Sequence, residues 1–280
     1  IPVALLVQGE ASFTGHGRLM ERPLRPYEDL FQEKGVAWDL TDGLLTVNGG
    51  RGYDAPALDP GEYRLPGNVS SQFFTGLLFA LPLLDGDSAL VSTTPLESRD
   101  YLEMTRQALA AAGVTSQWAD ENTLLVPGRQ KYQPFAAAVE ADWSQAGFWY
   151  AADFLDSHVD LRGLNPDSAQ GDKVVSELYW RLARPGDTEI DVSGCPDLLP
   201  PLAVMAAVRS GATRFTNAGR LRMKESDRLS TAAALLTALG GQAEEGPDFL
   251  TVHGGPLSGG AVDCANDHRI AMAAAIAATA

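Results

Sequence analysis

The chain repeats itself, and this limits its fold more than any single residue does. Three segments follow one plan: an amphipathic helix, a glycine, a short polar strand, a turn, and an apolar strand ending in glycine. In residues 27–50 the helix stop is Gly35 and the apolar strand is Leu44-Leu45-Thr46-Val47. In residues 101–128 the stop is Gly113 and the strand is Leu124-Leu125-Val126. In residues 227–254 they are Gly240-Gly241 and Phe249-Leu250-Thr251-Val252. Glycine just past a helix accepts the left-handed turn that ends it, and the two-residue alternation suits half-buried strands.

A second helix type alternates with the first. It opens on Ser or Asp, both favoured N-caps, and continues as an Ala/Leu/Phe-rich stretch that looks buried all round. Four such starts fall at Ser70, Ser144, Asp197 and Asp267. The first three lead into β-rich runs at 87–92, 158–161 and 212–217. Pro200 and Pro201 fit only in a first turn, where amide protons have no intrahelical partner. The sum is an α/β fold of repeated βαβαββ units. At 280 residues two domains are expected. Pro134 and the change of pattern near Glu140-Ala141-Asp142 put them at 1–140 and 141–280.

Composition removes several function classes. Hydrophobic residues make up 45% of the chain and charged ones 20%, enough for real cores. No apolar run approaches the ~18–20 residues of a membrane span, and the apolar start lacks the basic flank of a signal peptide. A net charge of −15 with no Lys/Arg stripe speaks against nucleic acid, while leaving small anions open, since the local field decides there. Cys195 and Cys264 show no disulfide framework and too few neighbouring ligands for a metal; two small buried thiols of a cytoplasmic protein is the reading. Ile1-Pro2-Val3 and the uncapped Ala-rich end both read as the interior of an element, so the chain is expected to be an interior piece of a longer one.

Four constellations could carry chemistry. In Lys224-Glu225-Ser226-Asp227-Arg228 a carboxylate is flanked by cations, which would bind an anion and tune Glu225; a salt-bridged helix start is the plain alternative. Asn266-Asp267-His268-Arg269 opens the last helix, with Asp267 as cap. Ser70-Ser71-Gln72 sets hydroxyls and an amide at a helix mouth, suited to a phosphate or simply to capping. Arg18 lies beside Gly17 and the Glu21-Arg22-Pro23 turn, where its guanidinium could fork onto an anion.

In order and interval, Gly67-Asn68-Val69-Ser70-Ser71-Gln72, Ser98-x-x-Tyr101, Cys195-Pro196-Asp197, Lys224 to Arg228 and Asn266 to Arg269 resemble the 5-enolpyruvylshikimate-3-phosphate synthases. Gly17 to Pro23 fits as well. The resemblance spans the whole chain. It implies an enolpyruvyl transferase-like, inside-out α/β barrel of two repeat domains. It also implies transfer of the enolpyruvyl group of phosphoenolpyruvate to the 5-hydroxyl of shikimate 3-phosphate, with release of phosphate and with no metal or organic cofactor. Carried over by position, Ser70, Ser71 and Ser98 hold the shikimate phosphate with Tyr101 beside it, and Gln72 lies near both substrates. Arg18, Arg228 and Arg269 bind phosphoenolpyruvate. Lys224 and Asp197 meet the ring hydroxyls, Asp197 as a candidate base; Glu225 is the proton donor or relay and His268 a supporting polar group. Helix N-termini would add the positive potential that lets so acidic a chain collect two anions. A cytoplasmic monomer is implied.

The resemblance also marks departures. The family's N-terminal Lys-containing loop, its Gly-x-x-x-Thr segment and its C-terminal lysine do not occur in this sequence, so the 280 residues alone are expected to be inactive. Arg220 stands where some members have Asn. The sister enzymes acting on UDP-N-acetylglucosamine are typified by a reactive loop cysteine, and neither cysteine here sits in such a loop. A non-catalytic module of the same fold is the other alternative.

Overall fold

The computed structural model describes residues 1–7, 9–50 and 57–280, with only the backbone of Met20. Two compact units, Ile1–Ala138 and Val139–Ala280, are each described on their own.

In the first unit, β1 (Glu10–Phe13), α1 (Arg25–Glu33), β2 (Trp38–Thr41) and β3 (Leu44–Asn48) give a three-stranded antiparallel sheet in the order β1-β3-β2. A full βαβαββ unit follows: β4 (Glu62–Leu65), α2 (Ser71–Ala80), β5 (Ser88–Ser92), α3 (Arg99–Ala111), β6 (Gln117–Trp118) and β7 (Thr123–Val126). Its sheet order is β4-β5-β7-β6. Only β4 and β5 are parallel, the pairing that requires a crossover, here α2. Helix α2 presents Phe73, Phe74, Leu77 and Leu78 to the core. Tyr27 of α1 stacks edge-on against Phe73 at 4.7 Å and its hydroxyl donates to the Phe73 carbonyl at 2.7 Å. Gly76, one turn on, is what admits that hydroxyl: a Cβ there would collide with it.

The second unit opens with two helices, α4 (Trp143–Phe154) and α5 (Val175–Leu182). The βαβαββ order then returns as β8 (Thr188–Asp191), α6 (Leu199–Val208), β9 (Ala212–Thr216), α7 (Arg228–Ala238), β10 (Gln242–Glu245) and β11 (Leu250–His253), and α8 (His268–Ala277) closes the chain. Strand order is β8-β9-β11-β10, with only β8 and β9 parallel, the same topology as in the first unit. Every residue from Leu199 to Ala207 is buried, so α6 is an interior helix that touches α4, α7 and α8 as well as β9 and β11. Helices inside and sheet outside is the inside-out arrangement; the sheets themselves are open rather than closed by hydrogen bonds. Behind α6, Arg209 is buried and donates to the carbonyls of Leu182 (2.8 Å), Arg184 and Gly186 (2.6 Å) and to the Thr213 hydroxyl (3.1 Å). It ties the end of α5 to the start of β9.

Gly35, Gly113 and Gly240 end their helices with φ of 72°, 78° and 78°, as the repeat pattern requires. Three sequence expectations are corrected. Helix α4 is capped not by Ser144 but by Asp142, whose carboxylate accepts from the amides of Ser144 (2.7 Å) and Gln145 (3.1 Å). Asp197 does not cap α6; it lies in a 3-10 turn, Pro196–Leu198, that leads into it. Residues 158–161 form no strand. His158 is left-handed (φ 50°), and the Val159 amide goes to Asp153 Oδ1 at 3.2 Å instead of to a neighbouring strand. Among the described residues no helix is long and apolar enough to cross a membrane.

Candidate active site

In the second unit the parallel strands β8 and β9 run into loops that precede α6 and α7, and α8 starts beside them. The groups gathered there centre on Arg228. This first residue of α7 is only 1% exposed, a position that a guanidinium holds only when its N–H groups are paired. Its Nε donates to Asp267 Oδ2 at 2.8 Å, its Nη1 to Asp197 Oδ1 at 2.8 Å, and its Nη2 to Glu225 Oε2. Asp197 also takes Lys224 Nζ at 3.3 Å on Oδ1 and Arg269 Nη2 at 3.3 Å on Oδ2. Three cations and three carboxylates thus share one patch, balanced in formal charge.

Asp267 anchors the arrangement. It caps α8 by accepting the Arg269 amide at 2.9 Å, and it receives the Ser226 hydroxyl at 2.9 Å besides Arg228. Burial alone would raise the Asp267 carboxyl; the hydrogen bond and charge of Arg228, the Arg269 amide and Ser226 outweigh it and hold the group below the ordinary carboxylate range. For Asp197 burial again pushes up, and Lys224, Arg269 and Arg228 together bring it below that range. Arg228 is raised: burial opposes its charge, but Asp267, Asp197 and Glu225 more than compensate. Both aspartates are therefore ionised at neutral pH. Burial pushes the Cys195 thiol up to about 12, with Asp172 and Asp191 adding to it, so it is no thiolate nucleophile. Both cysteines are free, and Cys264 is half-buried rather than buried as the composition suggested.

His268 stays apart, its side chain 58% exposed with Nδ1 3.9 Å from Asp267. Arg222 is a structural member that sequence reasoning missed: it bonds Asp227 at 2.7 Å, Ser230 at 3.2 Å and the Pro247 carbonyl at 3.1 Å, fixing the loop before α7. Arg220 reaches the Ser193 carbonyl at 2.6 Å, bridging the loops that follow β9 and β8.

The other expected residues lie in the first unit. Ser70 caps α2, its hydroxyl accepting the Gln72 amide at 3.3 Å; Ser71 is buried and the Gln72 side chain is exposed. Ser98, left-handed at φ 53° and buried, stands at the start of α3, with half-buried Tyr101 one turn on. The two helix starts are joined directly: the Glu97 amide donates to the Gly67 carbonyl at 3.1 Å. Thr94 Oγ1 accepts the amides of Gly67 (2.9 Å) and Asn68 (3.2 Å). Gly67 is required there, because a Cβ would run into Ser92 and the backbone of Pro95 and Leu96. Arg18 sits in a 3-10 turn, Gly17–Glu21, where it pairs with Glu21 at 3.4 Å.

The sequence matches the family described as EPSP synthase (3-phosphoshikimate 1-carboxyvinyltransferase) over residues 1–280. The chain belongs to the EPSP synthase family. It is 40% identical over 295 residues to a 3-phosphoshikimate 1-carboxyvinyltransferase of Clostridium novyi (strain NT), covering 99% of this chain and 66% of that one. A relative of the same name from Clostridium kluyveri is 40% identical over 293 residues, covering 98% and 67%. The chain thus spans about two thirds of the length of these relatives. The fold is that of an EPSP synthase from Acinetobacter baumannii (TM-score 0.73, 22% identity, 99% of this chain and 68% of that one). It is equally that of the enolpyruvyl transferase NikO from Streptomyces tendae (TM-score 0.72, 19% identity, 99% and 68%).

Proposed function

We propose that this chain carries the binding and acid–base residues of a 3-phosphoshikimate 1-carboxyvinyltransferase. Phosphoenolpyruvate is the donor, the 5-hydroxyl of shikimate 3-phosphate is the acceptor, and phosphate is released. The observation that carries the reading is Arg228: a guanidinium nearly removed from solvent, with Lys224, Arg269 and two ionised aspartates around it. Such a group offers planar, preorganised donors to a carboxylate or phosphate.

In this reading Arg228 and Arg269 hold phosphoenolpyruvate, and Arg18 is a further phosphoenolpyruvate-binding residue by its place in the family motif. Lys224 and Asp197 meet the ring hydroxyls. Asp197 is ionised, as a base must be, but its cations hold its proton affinity down, so orienting the 5-hydroxyl is its first task. Glu225, whose side chain is 37% exposed, is the acid or relay that protonates C3 as the hydroxyl attacks C2. Arg228 and Lys224 stabilise the negative charge of the tetrahedral intermediate until phosphate leaves. His268 supports from the solvent side. In the first unit Ser70, Ser71 and Ser98 take the shikimate phosphate, with Tyr101 and Gln72 beside it. The N-terminal half thus carries the shikimate-phosphate side, and the C-terminal half carries the acid–base groups and most of the phosphoenolpyruvate ligands. A cytoplasmic, monomeric enzyme belongs to the same reading.

Calorimetric titration of the chain with phosphoenolpyruvate, in the presence of shikimate 3-phosphate, tests it, with phosphate release measured alongside. Arg228→Ala and Arg269→Ala are expected to weaken phosphoenolpyruvate binding. Unchanged affinity in both would remove the assignment.

A further inference from the structure

Ser226 is unusual among the residues around Arg228 in carrying no charge while being 3% exposed, deeper than Lys224, Glu225 or Asp197. A buried hydroxyl needs partners, and its partners form a line. Thr231, one turn into α7, lies 3.0 Å from Ser226 Oγ. Ser226 Oγ donates to Asp267 Oδ2 at 2.9 Å. That same oxygen receives Arg228 Nε at 2.8 Å. A carboxylate only accepts, so the Ser226 proton points at Asp267; the Thr231 hydroxyl, which also lies 2.9 Å from the Asp227 carbonyl it donates to, backs Ser226 from the other side.

The other oxygen of Asp267 accepts the Arg269 amide at 2.9 Å and a longer bond from Arg228 Nη2 at 3.4 Å. The backbone before it is fixed too. Ala265 and Asn266 are both left-handed (φ 48° and 54°), and the Asp267 amide returns to the Cys264 carbonyl at 2.8 Å. Left-handed alanine is a costly conformation, kept where surrounding structure demands it. Asp267 is therefore held at its carboxylate from two sides and at its backbone from a third. The Ser226 hydroxyl sets the rotation left to the carboxylate, and the carboxylate sets the Arg228 plane through Nε and Nη2.

We infer that Ser226 is a positioning residue: acting through Asp267, it aims the Arg228 guanidinium so that its outer Nη edge, which holds Asp197 and Glu225, is presented to the arriving anion. The inference rests on the functional reading above, in which that anion is phosphoenolpyruvate. Ser226 touches no substrate in this scheme.

Three variants of the full chain test it. Ser226→Ala removes the donor, Ser226→Cys keeps the volume with a much weaker donor, and Ser226→Thr restores the hydroxyl. Two readouts are taken well below the melting temperature: phosphoenolpyruvate affinity by calorimetry with shikimate 3-phosphate present, and hydrogen exchange of the Arg228 Nε–H by 15N NMR. Loss of one charge-assisted hydrogen bond predicts affinity weakened roughly 10-fold in the Ala variant, less in Cys, with Thr near the parent. The Nε–H exchange should accelerate in the same order. A merely structural serine would lower the melting temperature and leave both readouts in place. Unchanged Nε–H exchange in the Ala and Cys variants overturns the inference, as does accelerated exchange with unaltered affinity. If the unsubstituted chain binds no phosphoenolpyruvate, the functional reading falls, and the exchange data then decide the Ser226–Asp267–Arg228 link by themselves.

Discussion

Arg228 and Asp267 meet where water does not reach: side chains 1% and 0% exposed, Nε and Oδ2 2.8 Å apart. One opens α7 and the other caps α8, so a single ion pair locks the starts of two helices together. Breaking such a pair by removing one partner costs more than the pair contributes, because the survivor stays buried and charged. Asp267→Asn is expected to destabilise the second unit by about 3 kcal/mol. Urea unfolding followed by circular dichroism reads this as a lower midpoint, and a midpoint within error of the parent would contradict it.

Asp267 and Asp197 together predict an acid limb. Both are held below the ordinary carboxylate range in the fold, so the unfolded chain binds protons more readily than the native one. Their contribution is complete above their unfolded values, near ~3.9, and is lost as pH falls through the folded ones. Stability measured in urea should therefore change little through these two groups down to about pH 4 and decline below it. In Asp267→Asn that decline should be shallower.

Lys224 offers a contrast with Arg228. It is 30% exposed and paired only at 3.3 Å with Asp197, so its removal should cost under about 1 kcal/mol of stability. Ligand affinity should suffer far more, since in the proposed mechanism Lys224 faces substrate. Parallel melts and titrations of Lys224→Ala separate the two effects.

In the first unit, Gly76→Ala drives a methyl group into the Tyr27 hydroxyl, an overpacking expected to cost about 2 kcal/mol. Tyr27→Phe removes the obstacle along with the bond to Phe73. The double variant should therefore be more stable than the sum of the singles implies, by about 1 kcal/mol. Strict additivity in a double-mutant cycle would show that the helix moves aside instead.

Arg209 gives a prediction unconnected with the candidate site. Its guanidinium serves the carbonyls of Leu182, Arg184 and Gly186, none of which has an acidic side chain to offer it. Arg209→Met should lower stability by about 3 kcal/mol through the acceptors it strands. Amide exchange should rise at the end of α5 and the start of β9.

What the sequence made legible was local. Gly35, Gly113 and Gly240 announce their helix ends because few other residues accept those φ values, and Ser70 and Asp267 read as caps from neighbours two residues away. Ser144 misled because Asp142, two positions earlier, accepts the amides of Ser144 and Gln145 with a charged group, so the helix has already begun where Ser144 stands. Residues 158–161 misled because β-prone residues need a partner strand, and the Asp153 carboxylate took the amide first. The Lys224 to Arg228 charges were visible, but not what arranges them. Asp267 reaches Arg228 and Ser226 across 39 and 41 positions, and no periodicity reports a contact of that range. Cap and anchor are one residue, and only the cap leaves a pattern in sequence.

The full engagement of Arg228 has a thermodynamic corollary. Its Nη groups already hold Asp197 and Glu225, so an arriving anion does not fill an empty socket; it trades places with carboxylates of the protein. Association is then an ion exchange, negative charge in for negative charge moved aside. Dissolved salt screens the outgoing ion pairs and the incoming ones alike. The affinity of such a site should respond to ionic strength much less than its three cations suggest.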